Sequence, residues 1–177
     1  NLTFVLANDK NLKFKKKNIF KSINNFKCLK FRQQIIYKSK NITIINDSKA
    51  TSFSSSVNVL KSLQKVYWLV GGIPKVHDKF LMKKKECSNF KAYIFGKNKR
   101  YFIHQFKNKT NYECFENLEK ALKKIILDIN NEKLYIHRNI LFSPSAASFD
   151  TFKNFEDRGI KFNYLIQKTN IKNLIRV

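Results

Sequence analysis

Residues 141–162 read LFSPSAASFDTFKNFEDRGIKF: a short apolar run, a turn of small hydroxylated residues, then a stretch with apolar residues at helical spacing. Ile140 to Phe142 read as the end of a buried strand, Pro144 stops it, and residues 150–166 read as a helix. Ser145 and Ser148 offer hydroxyls beside the unpaired N–H groups that open a helix, which makes the turn a cradle for an anion. Strand, polar turn and helix in that order form the repeating unit of a parallel α/β sheet.

The unit recurs upstream. Residues 32–37 and 42–45 flank a polar turn as paired strands, after which the period changes. Residues 54–65 suit a helix, 66–70 a strand ending at Gly71-Gly72, and 92–95 a strand closed by Gly96. Residues 115–129 place Leu118, Leu122, Ile125, Ile126 and Ile129 on one helical face, and 139–142 form a strand. The expected fold class is α/β, a Rossmann-like, mostly parallel sheet flanked by helices, with ligands at the strands' carboxyl ends. Residues 1–27 hold an apolar patch at Leu2, Phe4, Val5 and Leu6 and a lysine-rich turn, and read as the tail of another unit; 28–170 read as one domain and 171–177 as a tail.

With 177 residues, 43% of them hydrophobic, the chain can bury one full core. A net charge of +24 suits a polyanion or an anionic membrane. Lysine supplies nearly all of it, however, with arginine only at Arg32, Arg100, Arg138, Arg158 and Arg176, alongside abundant Asn, Ile and Phe. That mixture reads as A/T-rich coding bias, whereas a nucleic-acid reader favours arginine forks beside exposed aromatics. Neither nucleic acid nor membrane is therefore the expected partner, and a basic polyanion-binding module stays as the alternative. Cys28, Cys87 and Cys114 show no CxxC pair and no histidine at metal-ligand spacing, so reduced thiols in a cytoplasmic monomer are expected. No apolar run approaches the roughly 20 residues of a membrane span, and no signal-peptide pattern opens the chain. It starts at Asn1, without a methionine, and reads as a piece of something longer.

Three motifs fall directly after strands: residues 46–51, 71–75 and 143–148. A glycine pair lets backbone approach a ligand closely, and Lys75 beyond it supplies a compact charge suited to a carboxylate. Asp47 can accept hydrogen bonds from ribose hydroxyls, Lys49 can meet phosphate or carboxylate, and Thr51 can donate to an anion. Each has a plainer alternative: a turn for Gly71-Gly72, helix capping for Asp47 and Thr51, and core packing for Phe152 and Phe155. His77, His104 and His137 have no partner motif, the 12 acidic residues form no pair, and no GxxxxGK[ST] loop is present. No catalytic residue and no metal ligand is expected in this chain.

Read together, INDSKAT at residues 45–51, LVGGIPK at 69–75 and the stretch from 141 resemble the C-terminal domain of the Mur ligases, over most of residues 19–167. The order in INDSKAT resembles the branch of that family that joins D-glutamate to UDP-N-acetylmuramoyl-L-alanine in peptidoglycan synthesis; Ser52 stands where that branch usually has Asn. The family is an ATP-dependent acid–amino-acid ligase: the L-alanine carboxylate is phosphorylated and the D-glutamate amine attacks the acyl phosphate. The resemblance implies that Thr51, Lys75, Ser148 and the backbone of Phe149 grip the D-glutamate carboxylates, with Phe155 closing the pocket, while Arg32, Asp47 and Lys49 face ATP. The family's LPHR appears as Leu29-Lys30-Phe31-Arg32, so its histidine is replaced. It also implies that residues 1–27 are the tail of the central, ATP-binding domain, with Asn1 near the adenine. The phosphate loop and the Mg2+ ligands would then lie in that missing domain and the nucleotide-sugar site in the missing N-terminal one, leaving this chain inactive alone.

Overall fold

The computed structural model describes residues 17–18, 21, 29–132 and 136–169. The expectations for Asn1, the patch at residues 2–6, Cys28 and residues 171–177 lie outside the described residues.

Six strands form one sheet in the order β1-β2-β6-β3-β4-β5. β1 (Gln34–Lys38) runs antiparallel to β2 (Ile42–Asn46), while β2, β6 (Arg138–Phe142), β3 (Val66–Val70), β4 (Phe90–Phe95) and β5 (Tyr112–Phe115) are parallel. The chain steps outward from β2 to β5 and returns to slot β6 between β2 and β3. The Rossmann-like, mostly parallel expectation therefore holds.

The central strands are buried on both faces, so they read as continuous apolar runs and alternate only in which helix layer they meet. In β3, Trp68 and Val70 face Phe53, Leu60, Phe102 and Phe106 of α1 (Phe53–Ser62) and α2 (Lys99–Phe106). Tyr67 and Leu69 face the other way, toward Leu122, Ile125 and Phe162 of α3 (Leu118–Asn131) and α4 (Phe155–Lys168). The first layer is largely aromatic: Phe53 meets Phe80 edge-on at 5.3 Å and Phe80 meets Phe106 at 5.0 Å. Such pairs add about 0.5–1.5 kcal/mol each beyond burial.

Beyond shifts of a few residues at element ends, two helix starts and one whole helix differ from expectation. Residues 112–115 form the edge strand β5, so the helix expected from 115 begins at Leu118, where the Asn117 side chain accepts the Lys120 N–H at 2.9 Å. Helix α2, with its short run KRYFIHQF, was not anticipated. The closing helix begins at Phe155, not at 150. Asn154 caps it by accepting the Asp157 N–H at 2.7 Å, and the acidic Glu156 and Asp157 suit the positive end of the helix dipole. Ser145 and Ser148 therefore do not stand at that helix's N-terminus. Residues 148–152 form a turn of their own, in which the Ser148 carbonyl accepts the N–H groups of Thr151 and Phe152.

Candidate functional site

β2, β6 and β3 are neighbours, so the turns after them, which carry all three motifs, lie side by side at the carboxyl end of the sheet. Backbone bonds stitch them together. The Asp47 N–H donates to the Phe142 carbonyl at 2.7 Å, the Gly71 N–H to Pro144 at 3.0 Å, and Ile73 and Ala147 exchange two bonds at 2.9 and 2.8 Å. The loop bearing Lys75 is thereby paired to the turn bearing Ser148. Asp78, three residues beyond Lys75, accepts the Phe53 N–H at 2.8 Å and ties the same loop to the start of α1, just after Thr51.

Neither Asp47 nor Thr51 caps α1: Ser52 is the N-cap residue, its hydroxyl pairs with Ser54 and Ser55, and Asp78 takes the first helical N–H. The glycines serve packing between turns. A Cβ on Gly71 would sit 2.1 Å from the Phe95 carbonyl oxygen, and one on Gly72 2.3 Å from that of Ala147, both at positive φ. Phe155 belongs to neither core cluster; it is half-buried, with the Lys49 ammonium over its ring.

The sequence-expected residues differ in what they offer. Lys75 is exposed and unpaired among the described residues, Thr51 half-buried and Ser148 buried; Phe149, 70% exposed, projects from the same turn. Arg32 is exposed, on the turn before β1. Asp47 is turned inward instead, its carboxylate accepting the Gln33 N–H at 3.0 Å and the Ser143 hydroxyl at 2.8 Å. Burial raises its pKa, opposed by those two bonds and the Arg32 charge. Asp47 thus holds the turn that presents Arg32. For a phosphate-bearing ligand, Arg32 and Lys49 fit by charge, whereas among the described residues no group of three acids, histidines or cysteines could hold a metal ion.

Beneath the turns lies a buried polar layer. The Ser56 hydroxyl lies 2.6 Å from those of Ser143 and Ser145, and the Trp68 indole donates to the Ser143 carbonyl at 2.8 Å. Ser145, at φ 57°, is buried within this network and unavailable to a ligand. His137 fastens strand ends, its ring 2.9 Å from both the Thr43 hydroxyl and the Lys40 carbonyl.

Sequence comparison places this geometry among known proteins. No protein-family model matches the chain. It is 38% identical over 159 residues to the UDP-N-acetylmuramoylalanine–D-glutamate ligase of Rickettsia conorii, covering 90% of this chain and 32% of the relative. Over 152 residues it is 38% identical to the same-named ligase of Rickettsia felis, 86% of this chain and 34% of the relative. The chain belongs to the Mur ligase family. It spans about a third of the length of these Mur ligases. In fold it matches a solved Mur ligase, the MurF ligase of Thermotoga maritima in complex with ADP, at a TM-score of 0.54 and 15% identity, over 92% of this chain and 37% of that one.

Sequence reasoning missed Arg158. The residue is wholly buried, donating from Nε to the Ser48 hydroxyl at 3.2 Å and from Nη2 to the Ser48 carbonyl at 2.8 Å. Burial pushes its pKa down to about 10, partly offset by Asp150, so it stays charged at neutral pH. A signal was present: Arg158 falls in the apolar stripe of α4, between Phe155 and Phe162, where a charged residue is out of place.

Proposed function

We propose that this chain is the C-terminal, substrate-closing domain of the ATP-dependent ligase that joins D-glutamate to UDP-N-acetylmuramoyl-L-alanine in peptidoglycan synthesis. One observation carries the reading: turns on three adjacent strands are stitched so that Thr51, Lys75 and Ser148 share one end of the sheet. Lys75 supplies charge, while Thr51, Ser148 and the Phe149 N–H supply donors, so that two carboxylates are held and the amine is left free. Arg32 and Lys49 face the nucleotide, whose phosphoryl group activates the acceptor carboxylate in the complete enzyme. The contribution of these residues is orientation and electrostatics. The phosphate loop and Mg2+ ligands belong to the rest of the ligase, in the cytoplasm, and the chain alone does not turn over. Among the described residues no helix is long and apolar enough to cross a membrane.

The test is an NMR titration with D-glutamate against L-glutamate at moderate salt, on the chain and on Lys75→Ala and Ser148→Ala. D-selective shifts at the three turns that vanish in both variants are expected. Equal response to both enantiomers, or shifts that survive both substitutions, would refute the assignment.

A further inference from the structure

Arg158 lies beneath the turns after β2 and β3. It grips Ser48 after β2, and its Nη1 would lie 3.1 Å from a methyl placed on Gly72, after β3. Nη1 is buried and has no hydrogen-bond partner. A buried N–H of a charged group left unpaired is costly, and persists where the charge itself serves a purpose. Among the described residues no ion pair neutralises it; the acid it feels is Asp150, through space. An exposed ammonium such as Lys75 is screened by water and salt, whereas a buried guanidinium acts at low dielectric.

We propose that Arg158 is a positioning residue for the anionic substrate: it holds the turn after β2 to α4 beneath the turn after β3, and its charge, only partly offset by Asp150, gives their surface a positive potential that a dicarboxylate satisfies. The ligand class rests on the D-glutamate reading above. Arg158 does not touch the ligand but acts through Ser48 and the Gly72 backbone beside it.

The experiment is an NMR titration of the 177-residue chain with glutarate, and separately with D-glutamate, following the amides of Thr51, Ser148 and Phe149. It is repeated on Arg158→Lys, which keeps the charge, and Arg158→Gln, which keeps a donor. In Arg158→Gln the glutarate dissociation constant should rise about tenfold, the order a single partly buried charge produces. Arg158→Lys should stay within about threefold of the parent at pH 6 and lose affinity between pH 6 and 9, as a buried ammonium sheds its proton; the parent should stay flat. If Arg158→Gln fails to fold, that pH profile decides: a flat one overturns the proposal. Equal weakening in both variants without pH dependence, unchanged affinity in both, or no glutarate binding by the parent also overturns it. Arg158-dependent glutarate binding without preference for D-glutamate sinks the D-glutamate reading alone.

Discussion

The Lys49 ammonium rests 3.7 Å above the centre of the Phe155 ring. One residue follows β2 and is expected to face nucleotide; the other opens α4 and is expected to close over the amino acid. The Ser48 hydroxyl, next to Lys49, also donates to the Phe155 carbonyl at 2.8 Å, so the two halves of the proposed site share one joint.

A double-mutant cycle on Lys49→Met and Phe155→Leu should therefore show coupling of about 0.5–1 kcal/mol in urea unfolding, the worth of a partly exposed cation–π contact. Effects that add within about 0.3 kcal/mol would show the stacking to be incidental.

Gly159 sits in the middle of α4, where alanine ordinarily stabilises a helix by about 1 kcal/mol. Here a Cβ would come 2.3 Å from the ring of Phe31, which is buried against it. Gly159→Ala should destabilise the chain by about 1–2 kcal/mol, since expelling a buried phenylalanine outweighs the propensity gain. In a Phe31→Ala background the same substitution should become stabilising by about 1 kcal/mol. Thermal unfolding of the four variants checks the reversal; destabilisation in both backgrounds would reject the steric account.

The mostly parallel α/β class and the placement of the three motifs directly after strands were legible because buried parallel strands announce themselves as apolar runs, VYWLV and NILF among them, closed by Gly71 and, one residue on, by Pro144. What eluded reading was set by tertiary contacts. The edge strand YECF has no apolar run to mark it. Helix α4 starts late because Asn154 outcompetes the earlier Ser148 as a cap, and both Ser and Asn are plausible caps by type. Within the site, the placement of Thr51, Lys75 and Ser148 in turns after strands followed from the motifs, whereas their adjacency rests on β6 lying between β2 and β3, and the inward turn of Asp47 depends on Gln33 and Ser143, 14 and 96 residues away in the chain. The apolar stripe of α4 marks Arg158 as out of place, but its partner Ser48 lies 110 residues away, so the bond itself could not be read from the sequence.

Asp128 gives a pH signature. Burial would raise its pKa, but bonds from Lys124 at 2.5 Å, Lys91 at 2.8 Å and Tyr93 at 2.6 Å outweigh this and hold it at about 2. A carboxyl whose folded pKa is depressed contributes stability above its unfolded value, near 3.8, and loses that contribution as pH falls toward 2. Asp128→Asn should cost about 1–2 kcal/mol at pH 7, allowing for solvent screening, with the gap to the parent narrowing from pH 4 to pH 2. Chemical denaturation across that range checks it; a constant gap would mean that lost packing, not charge, sets the cost.

Lys75 and Gly72 stand three residues apart in the same loop and should respond oppositely. Lys75 is exposed and, among the described residues, unpaired, so Lys75→Ala should change unfolding free energy by less than about 0.5 kcal/mol while abolishing D-glutamate-dependent shifts. Gly72 has φ 128° and carbonyl oxygen 2.3 Å from where a Cβ would be, with backbone on one side and the Arg158 guanidinium on the other. Gly72→Ala should cost about 3 kcal/mol or more, because the Ala147 carbonyl cannot move away without breaking the Ile73–Ala147 bridge. Binding would then be lost together with stability, as the Lys75 and Ser148 turns separate. Thermal melts paired with the glutamate titration distinguish the two: intact folding without binding marks Lys75 as a ligand contact, and a well-folded Gly72→Ala chain that still binds would show that the close approach of these turns is not required.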